Sequence, residues 1–269
     1  MNPLVCQRWR ERRDTYRPAG EPIDPTRHGV EVVEERDARR FVVDHHYSAS
    51  YVAARLAVGL YRSRAWVTAE LVGVAVFSVP AGPKVLDCWF PGVEAVELGR
   101  LVLLDDVPAN GESWFIARAF RLLRRVLPNV GGVLSFSDPV QRVSLDGRVV
   151  TPGHIGVIYQ ATNGAHLGRS TPRTLILSPD GSVLSERALS KLRTGDRGAD
   201  YTYAQLQRWG APTRRLGEDG GDYVRRALAD RTRFRRVRHP GNIAYGWRLD
   251  GTKLPSLPYP KGEALVRVA

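Results

Sequence analysis

Apolar and polar positions change their period along this chain, and the changes mark its elements. Residues 1–29 show little periodicity, with Pro3, Pro18, Pro22 and Pro25 set among many charges, and read as an extended N-terminal arm. Val30–Val33 predicts a short strand, and a helix starts at Asp37 with Ala38, Phe41 and Val42 on its apolar side. The polar group His45-His46-Tyr47-Ser48 interrupts it, and Tyr51–Leu60 reads as a second helical run. From Ala65 the pattern is that of strands: Ala65–Thr68, then Leu71–Ser78, with Glu70 in a turn between them. Leu71–Ser78 is almost wholly apolar, as expected of a central strand buried on both faces. Val96–Leu104 predicts the next strand, with Glu97 and Arg100 as its charged members.

A loop, Asp105–Ser113, then feeds a helix capped at Asn110 that runs to about Leu127. Trp114, Ala117, Phe120, Leu123 and Leu127 form its predicted apolar face, and Arg118, Arg121, Arg124 and Arg125 the other. Val133–Phe136 predicts a strand ended by Ser137-Asp138-Pro139, and Ile155–Gln160 another. This order is an α/β (α+β) mixed sheet with a strand–helix–strand unit in its middle. Beyond residue 170 the elements are shorter: a hairpin of Arg173–Leu177 with Ser182–Leu184, and helices at Ala188–Leu192 and Tyr203–Trp209. The expected organisation is an arm (1–29), a mixed α/β domain (30–210) and an Arg-rich C-terminal extension (211–269).

A length of 269 residues suits one large domain or two small ones. The net charge of +12 rests on 36 Arg against 4 Lys. Arginine forks onto phosphates and base edges, which points to nucleic acid, although a high-GC genome also enriches arginine. Position favours the first explanation. Residues 1–134 carry 18 Lys+Arg against 16 Asp+Glu, whereas residues 135–269 carry 22 against 12, and genomic bias acts on both halves alike. Seven arginines, Arg225, Arg226, Arg231, Arg233, Arg235, Arg236 and Arg238, lie within 14 residues with Asp230 as their one acid. Tyr223, Phe234, Tyr245 and Trp247 are interleaved with or follow them, so the run is read as a phosphate-binding surface. Two separated cysteines, Cys6 and Cys88, form neither a disulfide framework nor a CxxC set. Met1–Arg17 is polar, so no signal peptide is expected, and no apolar run reaches membrane-spanning length. A cytoplasmic location is expected.

Four clusters carry chemistry. His46 and Tyr47 belong to the densest reactive group, suited to a metal or to acid–base work, and equally to a helix cap. Arg100 is a charge in an apolar strand, costly unless used. A salt bridge to Glu97 is not expected, since positions i and i+3 of a regular strand face opposite sides. Asp138 sits where a strand ends, the usual edge for catalytic groups in open α/β sheets, and an Asp-Pro turn accounts for it equally. Tyr159 ends another predicted strand, as a core residue or as a base-stacking and proton-donating group. No Walker loop, GxGxxG after a strand, GxSxG or HExxH is present.

In their order, His46-Tyr47-Ser48, Glu97-Leu98-Gly99-Arg100-Leu101 through Ser113, Ser137-Asp138-Pro139 and Gly156–Asn163 resemble the Mom family of phage DNA-modification proteins, over roughly residues 40–210. The resemblance implies a fold like the GCN5-related N-acetyltransferases, with a mixed sheet splayed around a cofactor cleft. It implies transfer of a carbamoylmethyl (acetamido-type) group to N6 of adenine in double-stranded DNA, which shields phage DNA from restriction. It assigns Arg100, Asp138 and Tyr159 to the active site, and His46, Tyr47 and Asp138 to ligands of Fe(II). Asn110, Gly111 and Ser113 stand where an acetyltransferase binds its cofactor pyrophosphate. Asp105 and Asp106 in that loop argue against acetyl-CoA, although the helix N-terminus behind them attracts an anion, and the donor stays open. The target base must leave the duplex for an aromatic pocket that Tyr47, Tyr159 or Trp114 supplies. The implied partners are double-stranded DNA and a second copy in a homodimer, with no membrane. Two alternatives accompany this reading: an acetyl-CoA-dependent acyltransferase on a small amine or protein, and a non-enzymatic basic DNA-binding protein.

Overall fold

The computed structural model describes residues 9–10, 13–14, 22–64, 68–80, 84–108, 110–262 and 266–267. The chain forms two compact units. One holds Met1–Pro139, Gly153–Ser170 and Asn242–Leu265; the other holds Val140–Pro152, Thr171–Gly241 and Val266–Ala269. In chain order the elements begin β1 (Trp9–Arg10), β2 (Arg13–Asp14), β3 (His28–Val32), α1 (Glu35–His45), β4 (Ala54–Arg64) and β5 (Thr68–Ser78). They continue α2 (Val85–Trp89), β6 (Ala95–Leu103), α3 (Gly111–Val126), β7 (Gly132–Ser137), β8 (Val140–Val143), β9 (Val149–Thr151) and α4 (Val157–Ala161). Then come β10 (Ala165–Arg169), β11 (Arg173–Leu177), α5 (Glu186–Thr194), α6 (Ala199–Arg208) and α7 (Gly220–Ala227). The order ends β12 (Arg235–His239), β13 (Ile243–Arg248) and β14 (Val266–Arg267).

The first unit is built on a seven-stranded mixed sheet in the order β10-β13-β7-β6-β5-β4-β3. The inner strand β5, between β6 and β4, is buried on both faces, which is why its sequence is a continuous apolar run. Ala75 and Phe77 share a core with Phe115, Ala119 and Leu123 of α3, while Val74 and Val76 pack with Ala38, Phe41 and Val42 of α1. Every pair in the sheet is antiparallel except β6 with β7. That parallel pairing covers Ala95↔Gly132, Val96↔Val133 and Glu97↔Leu134 and goes no further. Past Glu97, β6 continues to Leu103 against β5, and β7 continues to Ser137 against β13. The sheet is therefore splayed between these two strands, as the resemblance implied. One hydroxyl bridges the start of the gap: Ser135 Oγ donates to the Leu98 carbonyl at 2.9 Å.

The predicted strands at Val30–Val33, Leu71–Ser78, Val96–Leu104 and Val133–Phe136 and the helix ending near Leu127 are present to within a few residues. Tyr51–Leu60 is strand β4 rather than a helix, because Leu56–Leu60 are buried on both sheet faces and lose the alternation that marks a strand. Glu70 lies inside β5, opposite Arg62, and the two form an ion pair at 2.8 Å. The strand predicted at Ala65–Thr68 falls mostly outside the described residues, as does most of the arm. At its inner end Ile23 is buried and its amide donates to Asn110 Oδ1 at 2.7 Å. On α3 the buried side is Phe115, Ile116, Ala119 and Leu123, and Ala117 is exposed. Ile155–Gln160 is a loop and a short helix rather than a strand, since Gly156 turns the chain with φ +73°. The boundary expected at residue 211 is replaced by a discontinuous division: β13 inserts between β10 and β7, so a strand distant in sequence completes the first sheet.

The second unit contains the antiparallel ribbon β11–β12, a β8–β9–β14 set and helices α5–α7. The hairpin predicted around Gly181 reduces to one bridge, Leu177↔Val183, and the main partner of β11 is β12. Leu189, Leu192, Leu206, Tyr223, Val224 and Phe234 form its helical core. Tyr223 and Phe234 are therefore packing residues, and Tyr245 and Trp247 lie in the core of the first unit.

A Cβ at Gly156 would sit 2.6 Å from the Tyr245 ring and 2.8 Å from the Tyr159 ring. Gly156→Ala is expected to destabilise the protein by about 2–4 kcal/mol through left-handed strain and overpacking, read by urea unfolding. Unchanged stability would contradict the close approach.

Candidate functional site in the splayed sheet

The site begins with a β-bulge. Leu98 lies opposite Phe77 and Arg100 opposite Val76, which leaves Gly99 as the extra residue on β6. The bulge resets the alternation, so Glu97 and Arg100 face the same side of the sheet, contrary to the spacing rule for a regular strand. Glycine suits that position, because a Cβ would meet Ser78 Oγ at 2.5 Å and force that hydroxyl to move.

Arg100 reaches the loop after α1. Its Nε donates to the Ser50 carbonyl at 2.8 Å, Nη2 to Ser50 Oγ at 2.9 Å and Nη1 to its neighbour's carbonyl, Gly99 O, at 2.6 Å. That clamp fixes residues 46–50. Ser48 donates its backbone N–H to His46 Nδ1 at 3.1 Å, and its hydroxyl lies 2.8 Å from the same nitrogen. The Tyr47 ring lies on that of His46 with centroids 4.3 Å apart, and meets His154 edge-on at 6.3 Å. Burial, then the Arg100 charge and then His154, push the His46 pKa down to about 3. Burial also lowers His154, with the Asp138 charge opposing it, and the His154 amide donates to the Asp138 carbonyl at 2.7 Å.

From the other face, α4 carries Tyr159, 7% exposed, against Tyr245 and Trp247 at centroid distances of 5.5 and 5.8 Å. Its hydroxyl hydrogen-bonds Ser135, the residue that bridges the splay, and it interacts electrostatically with Glu97 and Arg100. Burial raises its pKa, so it is a neutral phenol. Glu97 is half-buried; burial raises its pKa and Arg100 opposes the rise.

The structure thus brings His46, Tyr47, Arg100, Asp138 and Tyr159 into one electrostatically linked group. His154 was not singled out in the sequence, and Glu97 stood there only as part of a motif. Trp114 lies elsewhere, under the Arg118 guanidinium at 3.5 Å and edge-on to His28. Asn110, Gly111 and Ser113 stand at the start of α3 with their groups engaged within the protein. Asn110 Oδ1 accepts from Ile23, Gly111 donates to Pro108 O, and Ser113 Oγ donates to Asn110 O. Asp106 is paired with Arg62 at 2.8 Å.

A family model described as the Mom protein family matches residues 27–215, which includes every residue of this group. The chain belongs to the Mom protein family. It is 29% identical over 185 residues to the methylcarbamoylase mom of Escherichia phage Mu, covering 66% of this chain and 68% of that protein. Among solved structures it is similar to a tandem GNAT protein from the clavulanic acid biosynthesis pathway, with TM-score 0.36 and 10% identity, covering 68% of this chain and 64% of that one. It is also similar to malonyl-CoA decarboxylase from Rhodopseudomonas palustris, with TM-score 0.32 and 11% identity, covering 84% and 57%. The chain thus spans less than two thirds of either solved structure.

The iron that the Mom resemblance implies needs a lone pair from His46. The Ser48 amide can only donate, so the lone pair of His46 is on Nδ1 and engaged, and the proton of the neutral ring is on Nε2. Among the described residues no three His, Cys, Asp or Glu side chains are grouped to hold a metal ion. As placed, His46 keeps no free lone pair for iron.

The second unit of this Mom-family chain carries 18 Lys+Arg against 9 Asp+Glu, a net of +9 out of +12. Its arginines divide. Arg226 pairs with the well-buried Glu218 at 2.6 Å, Arg233 donates to Gly210 O at 2.6 Å, and Arg235 donates to Val143 O. Arg225 faces solvent in an ion pair with Asp222, and such exposed pairs hold weakly. Arg231, Arg236 and Arg238 are exposed and form no ion pair among the described residues. Also among the described residues, no helix is long and apolar enough to cross a membrane.

Both imidazoles are neutral in the folded chain, whereas an unfolded chain protonates histidine near 6.5. Their contribution to stability is therefore complete above about pH 6.5 and declines as pH falls, for His46 down to about 3. His46→Gln is expected to flatten the fall of melting temperature between pH 6.5 and 4, and a wild-type slope in that variant would contradict it.

Proposed function

We propose that this chain is a transferase that modifies N6 of adenine in double-stranded DNA with a carbamoylmethyl (acetamido-type) group, protecting the DNA from restriction. The observation that carries the reading is membership of the Mom family over a stretch that includes the whole linked group, together with the relative named a methylcarbamoylase. The residues suit that chemistry. A flipped adenine needs flat faces, and Tyr47 with the neutral rings of His46 and His154 offers them. Adenine N6 is a weak nucleophile, because its lone pair is delocalised into the ring. Arg100 donates to three acceptors and keeps two of its five N–H groups to hold and polarise the carbonyl oxygen of the donor. Tyr159 stays protonated, so it positions and donates, and the N6 proton goes to a carboxylate. Asp138 supports the pocket through His154.

The second unit supplies the grip on the DNA backbone, through Arg225, Arg231, Arg236 and Arg238, with Arg226, Arg233 and Arg235 holding the surface in shape. An acetyl-CoA-dependent acyltransferase finds little support at Asn110, Gly111 and Ser113, whose groups are engaged within the loop or, for Asn110, by the Ile23 amide. A purely DNA-binding protein leaves the linked group in the splayed sheet without a use.

Nucleoside mass spectrometry of plasmid from cells expressing the protein tests the reading, with a mass-shifted adenine nucleoside as the expected result. Unmodified adenine beside abundant soluble protein would overturn it. For the DNA grip, Arg236→Ala/Arg238→Ala is expected to weaken duplex binding and to reduce the slope of log K against log salt by about 1.8, near 0.9 for each lost phosphate contact. An unchanged slope would remove both residues from the interface.

A further inference from the structure

The Glu97 carboxylate accepts no hydrogen bond among the described residues. The residue's backbone carbonyl accepts from Ser78 Oγ at 3.4 Å, but the side chain is half-buried with no donor on it. A carboxylate held partly out of water without a partner is costly, and such groups persist where they are used. The nearest cation, Arg100, shares its face of the strand and yet turns its guanidinium to Ser50 and Gly99. Arg100 thus biases Glu97 electrostatically without engaging its oxygens.

The location is equally specific. Glu97 is the last residue of β6 paired with β7, at the mouth of the gap that Ser135 bridges and that Tyr159 meets from the other face. The groups facing it are Arg100 on its own strand and Tyr159 on α4. Its cross-strand neighbours, Ser78 on β5 and Leu134 on β7, carry no charge. Asp138, the other acid of the group, is occupied with His154.

We propose that Glu97 accepts the proton released by adenine N6 as the transfer proceeds, an inference that rests on the adenine-transfer reading above. In that step N6 forms a bond to the methylene carbon of an acetamide-type donor that carries a leaving group on that carbon. The bond from that carbon to the donor's leaving group breaks, and the leaving group departs with the electron pair. The N6 proton passes to a Glu97 oxygen, and the resulting acid later returns it to water. A carboxylate whose affinity for protons is raised by burial is a better base for this purpose than an exposed one.

The test expresses wild type, Glu97→Gln and Glu97→Asp at matched soluble levels and measures modified adenine in plasmid by nucleoside mass spectrometry. Duplex binding and melting temperature are measured on the purified proteins. Glu97→Gln keeps the shape and removes the charge, so modification is expected to fall about 100-fold or more. Its duplex affinity should match wild type and its melting temperature should equal or exceed it. Glu97→Asp is expected to keep a measurable share of modification. Three outcomes overturn the proposal: modification by Glu97→Gln within about threefold of wild type, a lowered melting temperature in that variant, which makes Glu97 structural, or no modification by a Glu97→Asp protein that melts as wild type does. If wild type itself leaves adenine untouched, the transfer reading falls first, and the proposal falls with it.

Discussion

One extra residue in a strand governs the site. In a regular strand Glu97 and Arg100 lie on opposite faces, and an arginine there is a charge buried for nothing. The bulge at Gly99 brings both to one side. It occurs beside the point where β6 leaves β7, so the same short stretch opens the sheet and lines the opening. Glycine suits the bulge, because Ser78 occupies the space a side chain would take. From that bulge Arg100 clamps Ser50, and the clamp holds the turn that presents His46 and Tyr47.

The electrostatics follow from burial more than from pairing. His46, His154, Tyr159 and Glu97 are all displaced toward their neutral forms, with desolvation as the largest cause in each. Arg100 is the charge that persists, because a guanidinium releases its proton too reluctantly for burial to remove it. A fixed cation among neutral rings and a partly desolvated carboxylate suits transfer to a weak nucleophile. In the proposed transfer the cation holds the donor's carbonyl oxygen, and the uncharged rings offer flat faces to the base. The same arrangement works against His46 as a metal ligand, since its lone pair is already engaged by Ser48.

Charge is handled differently in the second unit. There the arginines lie at the surface or are tied to backbone carbonyls and acids, and the net of +9 is carried by a body with its own core of Leu189, Leu206, Tyr223 and Phe234. Part of the dense Arg225–Arg238 run is internal structure: Arg226, Arg233 and Arg235 close loops through carbonyls or Glu218. The strand period decides which arginines stay free on β12. Arg236 and Arg238 alternate with buried Val237 and His239 and so face outward together.

The sequence by itself determined the mixed sheet, the inner strand β5, the helix α3, the charge asymmetry and, through the order of its motifs, the family. These are local or additive properties: a run of apolar residues, a periodicity, a count of charges, a short signature. Tertiary structure decided the rest. It made a strand of Ala54–Arg64, since burial on both faces erases the period that would have announced it. It placed Ile243–Arg248 inside the first sheet, between β10 and β7, because strand pairing takes no account of distance along the chain. It set Glu97 beside Arg100 through a bulge that no spacing rule contains, and it added His154 through a loop anchored on the Asp138 carbonyl. Which residue types the site needs is written in the chain. Which of them meet depends on register and burial, and those exist only once the sheet has formed.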